Sequence, residues 1–165
     1  MQTPADIRLR FAQTGDLDDL NAVIEAAVMG WNLPERVKRL SLPSYRYQEH
    51  DLDHLRLLIA ETGTDGIVGV AAWEPAAAGD APTGAKAMLL HGLYVAPRRQ
   101  LGGIGTRLLE AAATAARQAG CDGLLVKANP DAQGFFAHRG LDRLLVEDPT
   151  RDYPYRYWLP LSDGP

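Results

Sequence analysis

Cysteine is nearly absent from this chain: of 165 residues only Cys121 is one. An intrachain disulfide is excluded, and a reducing compartment, the cytoplasm, is expected. Long apolar runs are missing too. Met1–Arg10 has no stretch that could form a signal-peptide core, and no segment reaches the roughly 20 apolar residues of a membrane span, so neither secretion nor membrane insertion is expected. There is no block of like charge and no internal repeat. The net charge of −4 argues against a nucleic-acid partner bound by phosphate neutralisation. His50 and His54 lie four apart without a third ligand nearby, so no metal site is expected.

What is present is ordinary globular composition, 46% apolar and 23% charged, in a length that suits one domain over residues 1–165. Ile7 to Phe11 alternates like a strand, and Thr14, Gly15 and Asp16 break the pattern ahead of a helix that ends near Gly30. Asn32 and Glu35 have capping-box spacing before a short helix over Pro34 to Leu40, which Pro43 should stop. Leu55–Ala60 and Ile67–Trp73 flank a turn-rich pentapeptide and read as a hairpin. Glu74 to Ala85, rich in alanine, proline and glycine, reads as a mobile surface loop.

Ala87–Val95, Gly103–Ala119 and Gly123–Ala128 form a strand, helix, strand crossover. A short helix over Asp131–His138, closed by Gly140, leads to strands over Leu141–Val146 and Tyr155–Leu159. A parallel unit among hairpin-linked strands defines an α/β (α+β) fold: a mixed, largely antiparallel sheet with a central parallel strand pair and helices on both faces.

Chemistry concentrates where a strand runs into the long helix, from Tyr94 to Gly105. Glycines there let the backbone come close to a ligand, and the first amides of a helix, with the macrodipole behind them, hold an anion. Glycines before a helix also serve turn geometry alone. A dinucleotide loop fits poorly, because Leu108 stands where a third glycine is needed.

Val95, Pro97, Gln100, Gly103 and Gly105, in register after a strand and before a helix, resemble the acetyl-CoA signature of the GNAT superfamily of N-acetyltransferases. The element order from Ile7 to Leu159 is similar to that family's. The resemblance implies acetyl-CoA as cosubstrate and an amine, small molecule or peptide, as acceptor, attacked directly in a ternary complex. It places the backbone of Leu93, Tyr94 and Val95 along the pantetheine arm and thioester. Gln100, Leu101, Gly102, Gly103, Ile104, Gly105 and Thr106 then surround the pyrophosphate. Asn129 matches a position beside the cofactor arm, although Asn before Pro130 is also a common turn residue. Dimerisation through the late strands is common among proteins of this resemblance and stands as an expectation.

The transfer needs a base for the ammonium and a donor for the tetrahedral oxyanion. His91 is the candidate base, since an imidazole titrates near neutrality and shares strand parity with Leu89, Leu93 and Val95. It matches the second histidine of a His-x-His pair in GNATs resembling the arylalkylamine acetyltransferases, with Leu89 in place of the first. A core histidine bonded to backbone is the competing reading.

Phe135 to Leu141 resembles the family's Phe-Tyr-x-x-x-Gly-Phe segment, but Phe136 stands where a tyrosine commonly protonates the leaving thiolate. Tyr94, Tyr153, Tyr155, Tyr157 and Cys121 are the alternative proton sources. Without one the chain could instead be a non-catalytic module that binds CoA or a partner. On the acceptor side, Trp31, Tyr45, Tyr47, Glu49, Asp51 and Asp53 can receive an ammonium, or the three acids can form a solvated turn.

Overall fold

The computed structural model describes residues 6–77, 79–82, 84–99, 102–128, 132–150 and 152–161. Seven strands run in the order β1-β2-β3-β4-β5-β7-β6 and are mostly antiparallel, with one parallel pair, β4 and β5. This is the mixed sheet expected from the crossover embedded among hairpins. The chain divides into two compact units, Met1–Ala72 with Gly92–Leu109, and Trp73–His91 with Glu110–Pro165. No helix of the described residues is long and apolar enough to cross a membrane.

In the first unit, β1 (Arg8–Phe11) pairs antiparallel with β2 (Arg56–Thr62), Arg8 opposite Glu61 and Phe11 opposite Leu58. The turn at 63–65, closed by the Asp65 amide donating to Thr62 Oγ1 at 2.9 Å, leads into β3 (Gly66–Pro75). Helix α1 (Leu17–Met29) buries Leu20, Val23, Ile24, Ala27 and Val28 along one stripe and carries Asp18 and Asp19 in its first turn, where the macrodipole favours them.

Helix α2 (Glu35–Tyr45) departs from expectation at both ends. Its N-cap residue is Pro34, which has no side-chain group to cap with, rather than Asn32, and the helix proper begins at Glu35. It also continues through Pro43 to Tyr45 instead of stopping at Leu40. Proline forfeits one hydrogen bond and strains the preceding turn, but the residues beyond Leu40 are anchored elsewhere. Leu42 is buried, and the Tyr45 ring packs edge-on against Trp31 at 5.3 Å. Lys38 is buried as well, its ammonium donating to the carbonyls of Met29 at 2.7 Å and Trp31 at 3.3 Å. It thereby gives a donor to the Met29 carbonyl, at the last residue of α1, and a second one to the Trp31 carbonyl, which also accepts the Leu33 amide at 2.9 Å.

In the second unit, the first part of β4 (Ala87–Val95) pairs parallel with β5 (Gly123–Lys127), from Ala87 opposite Gly123 to Leu90 opposite Val126. β5 pairs antiparallel with β7 (Arg156–Pro160). Ala87, Leu89 and Leu125 form a buried cluster, with Ala76, Ala81, Leu144 and Trp158 packed on it. The segment read as a loop from Glu74 is therefore ordered at its start. Glu74 and Pro75 extend β3, the Ala76 amide donates to the Ala87 carbonyl at 3.0 Å, and the small side chains of Ala76 and Ala81 lie flat on the core.

Helix α3 (Ile104–Gln118) buries Ile104, Leu108, Leu109, Ala112, Ala113 and Ala116, a helical stripe. Helix α4 (Gln133–His138) is closed by Gly140 at φ +84°, as its sequence suggests. β6 spans only Asp142–Arg143, shorter than the strand read over Leu141–Val146, because Leu145 and Val146 are exposed and find no apolar surface to cover.

Candidate functional site

β4 and β5 keep register only to Leu90 and Val126, yet β4 runs on to Val95. Past the strand, the Ala96 amide donates to the Val68 carbonyl at 2.8 Å, and Pro97–Arg99 forms a single 3₁₀ turn. Arg99 closes this turn against the β2–β3 connection, with Nε and Nη2 at 2.9 and 2.6 Å from Asp65 Oδ2. Gly102 and Gly103 are exposed, and Gly103 has φ +82°, a conformation that disfavours any side chain. α3 starts at the next residue, so the amides of its first turn, those of Ile104 and Gly105 among them, open outward as at any helix start. Ile104 itself is buried and holds that start in place. Gln100, Leu101 and Asn129 lie outside the described residues.

Beside the end of β4, the first unit gathers aromatic rings that are distant in sequence. Tyr45 bridges Trp31 at 5.3 Å and Tyr94 at 6.4 Å, both edge-on. Tyr94 is buried, and this desolvation, reinforced by Tyr45, pushes its phenol well above the ordinary tyrosine range. Its hydroxyl stays protonated at neutral pH. Tyr47 is also buried, and its backbone is held from both sides by one side chain. Asn21 Nδ2 donates to the Tyr47 carbonyl at 2.8 Å, and the Tyr47 amide donates to Asn21 Oδ1 at 2.9 Å.

Glu49, Asp51 and Asp53 follow in a 3₁₀ helix, Glu49–Asp53. Asp51 turns back to accept the Gln48 amide at 2.7 Å and lies 3.6 and 3.7 Å from Nε2 of His50 and His54. Glu49 and Asp53 are exposed. These acids form the solvated turn. Among the described residues no group of three or more His, Cys, Asp or Glu could hold a metal ion.

In the second unit His91 is exposed, which removes the reading of it as a core histidine. Phe136 is 3% exposed, stacked on Tyr157 with centroids 5.7 Å apart and edge-on to Phe135 at 5.1 Å. Of the other hydroxyls considered as proton sources, Tyr153 donates to the Ala128 carbonyl at 2.6 Å, and the Tyr155 ring lies under the Arg143 guanidinium at 5.0 Å. Cys121 is buried and lines an apolar depression of about 360 Å³ with Ala76, Ala81, Lys86 and Met88. Tyr157 is the hydroxyl-bearing ring packed directly on Phe136.

The hydrogen bonds by which Asn21 holds Tyr47 and Lys38 holds Met29 and Trp31 are not legible in the sequence. The available signal was weak: a poor helix former in mid-helix and a basic residue on the buried stripe of α2.

The model of the Acetyltransferase (GNAT) family matches residues 25–141. No curated protein sequence matches the chain. Among solved structures, a GNAT family acetyltransferase from Brucella melitensis in complex with acetyl-CoA is 22% identical, with 96% of this chain and 89% of that one covered and a TM-score of 0.64. The PaiA N-acetyltransferase of Thermoplasma acidophilum in complex with coenzyme A is 16% identical over 93% of this chain and 98% of that one, with a TM-score of 0.72. AtaTR bound with AcCoA is 18% identical over 95% and 94%, with a TM-score of 0.64. At these identities the likeness is one of fold.

Proposed function

The chain belongs to the acetyltransferase (GNAT) family, and from that premise we propose that it moves the acetyl group of acetyl-CoA to the nitrogen of an amine, small molecule or peptide, by direct attack in a ternary complex. The observation that carries this reading is the turn from β4 into α3. Val95, Pro97, Gly103 and Gly105 stand in signature spacing there, and Gly103 has the left-handed backbone the turn needs. Such a helix start holds a pyrophosphate by main chain alone, from Gly102 to Thr106 with Gln100 and Leu101. The pantetheine arm then runs along Leu93, Tyr94 and Val95, with Asn129 and Phe136 beside it. The fold neighbours crystallised with acetyl-CoA or coenzyme A support the same cosubstrate.

The neutral amine's lone pair attacks the thioester carbonyl carbon, forming the C–N bond and an oxyanion that a β4 amide stabilises. The C–S bond breaks, the amide keeps the acetyl group, and the thiolate leaves. The nitrogen's surplus proton passes to His91, directly or through water, and the thiolate takes a proton to become CoA. His91 is exposed and so has access to solvent for this exchange.

Phe136 favours a second reading, a module that binds CoA without turnover, because no hydroxyl stands at that position. A screen of amines and peptides for CoA release separates the two. Acetyl-CoA binding with release from a primary amine supports the transferase, and binding without release across the panel supports the module. His91→Ala is expected to lower the rate at saturating acetyl-CoA far more than cofactor affinity, and an unchanged pH–rate profile in that variant rejects the base assignment.

A further inference from the structure

Beyond its last rung with β5, at Leu90, the signature strand is braced on the acceptor side by a side chain that neither motif nor mechanism has used. A methyl group built on Gly92 would lie 2.6 Å from the Tyr47 hydroxyl oxygen and 2.7 Å from Cε2 of Tyr94. Tyr47 therefore fills the space a side chain at residue 92 would take, and its phenol rests against bare backbone between His91 and Leu93. Gly92 has no left-handed backbone to explain the glycine. The close approach explains it.

The brace is itself fixed. Asn21 both donates to and accepts from the Tyr47 backbone, at 2.8 and 2.9 Å, from a helix whose stripe on either side of it is buried. Two well-formed bonds to one residue set its position more firmly than packing alone. Behind it, Tyr45 packs edge-on to Tyr94 at 6.4 Å, one strand alternation beyond Gly92.

We infer that Tyr47, held by Asn21, is a positioning residue that sets β4 at Gly92 and thereby aims the Leu93 and Val95 amides at the thioester. The inference rests on the proposed function for what those amides meet. A misaimed amide weakens the bond to the oxyanion, which exists only along the reaction path, more than it weakens ground-state binding. The effect belongs in kcat.

The test uses the full chain with two variants. Asn21→Ala deletes both bonds to Tyr47, and Gly92→Ala drives a wedge between strand and brace. Three readouts are taken at 25 °C on protein shown to be folded: kcat with the best amine of the panel, calorimetric affinity for acetyl-CoA, and the amide NMR shifts of Leu93 and Val95. Each variant is expected to lose roughly tenfold in kcat with affinity held within about threefold, and to shift both amides. Should Gly92→Ala not fold, Asn21→Ala alone decides. Lowered melting temperature with wild-type kcat and unmoved amides would show that Tyr47 only fills space, and the inference falls. If the wild type turns over no amine, the proposed transfer fails instead, and the amide shifts still decide whether Tyr47 sets the strand.

Discussion

Gly69 of β3 lies directly under Ile104, the first residue of α3: a methyl group on Gly69 would stand 2.8 Å from Ile104 Cγ2 and 3.0 Å from Leu108 Cδ1. The helix that begins the candidate pyrophosphate site is thus seated on a strand made flat by the absence of a side chain. Gly69→Val is expected to lift the first turn of α3 and cost about 1–3 kcal/mol of stability through overpacking. Calorimetry should show acetyl-CoA affinity weakened by roughly tenfold, since the amides would no longer converge. Gly63→Ala, at an exposed turn with open space around it, is the control and should bind as the wild type does.

Phe136→Tyr places a hydroxyl beside Tyr157 in a buried stack. If thiolate departure limits turnover, kcat at saturating acetyl-CoA should rise, by up to about 10²-fold, the lower end of what a general acid contributes. The buried hydroxyl should cost about 1–3 kcal/mol wherever it finds no partner, read as a lower melting temperature. An unchanged kcat would mean that the thiolate needs no acid at that position.

Stability should fall on the acid side in a way traceable to four side chains, Arg10, Asp16, Glu61 and Arg8, whose Nε also donates to Glu61 at 3.0 Å. Arg10 donates to Asp16 through Nη1 and Nη2, both at 2.9 Å, and to Glu61 through Nε at 3.0 Å and Nη2 at 3.1 Å. These bonds hold both carboxyls below their ordinary values of 3.8 and 4.5, chiefly through the hydrogen bonds to Arg10. A carboxyl lowered in the folded state stabilises fully above its unfolded pKa, and the contribution disappears as pH falls through the folded one. Urea midpoints should therefore be flat above about pH 5 and drop below it, and Asp16→Asn should shrink the drop while lowering stability at pH 7.

Lys38→Met keeps the length of the side chain and removes the ammonium that serves the Met29 and Trp31 carbonyls. The Trp31 carbonyl keeps the Leu33 amide at 2.9 Å, so the cost falls on the Met29 carbonyl and is expected to be about 1–3 kcal/mol, measured by thermal unfolding. Because the Trp31 loop is what the ammonium holds, the tryptophan emission of the folded variant should also shift. Unaltered emission and melting would mean that water replaces the lysine at no cost.

The legible parts of the molecule are those whose signals are local. β4 was readable to the residue, Ala87 to Val95, because a buried strand bounded by turn residues needs no partner to be recognised, and α3 differed by one residue at each end for the same reason. Pro43 misled because the local rule is real but was outweighed by Leu42 and Tyr45, whose contacts lie on other elements. Leu141–Val146 has strand-like composition, and only the exposure of Leu145 tells that its pairing stops. At the candidate site, the signature spacing was visible because close backbone approach requires glycines at fixed offsets. The placement of Tyr47 against Gly92 was not, since the two are 45 positions apart and no periodicity connects them. The acids of the Glu49–Asp53 turn advertised a charge site by composition, whereas Asp51 spends its carboxylate on the Gln48 amide.

Asn21 deals with Tyr47 as one strand deals with another. Its amide group presents a donor and an acceptor side by side, and residue 47 answers with its own carbonyl and amide, closing a two-bond ring akin to a rung of an antiparallel ladder. The segment after α2 belongs to no strand, yet Arg46 and Gln48 on either side of Tyr47 are extended and the Asn21 pair fixes its register there. An insertion or deletion between Arg46 and Gln48 would thus be felt as a slipped register, unlike the easy length changes that surface connections usually accept.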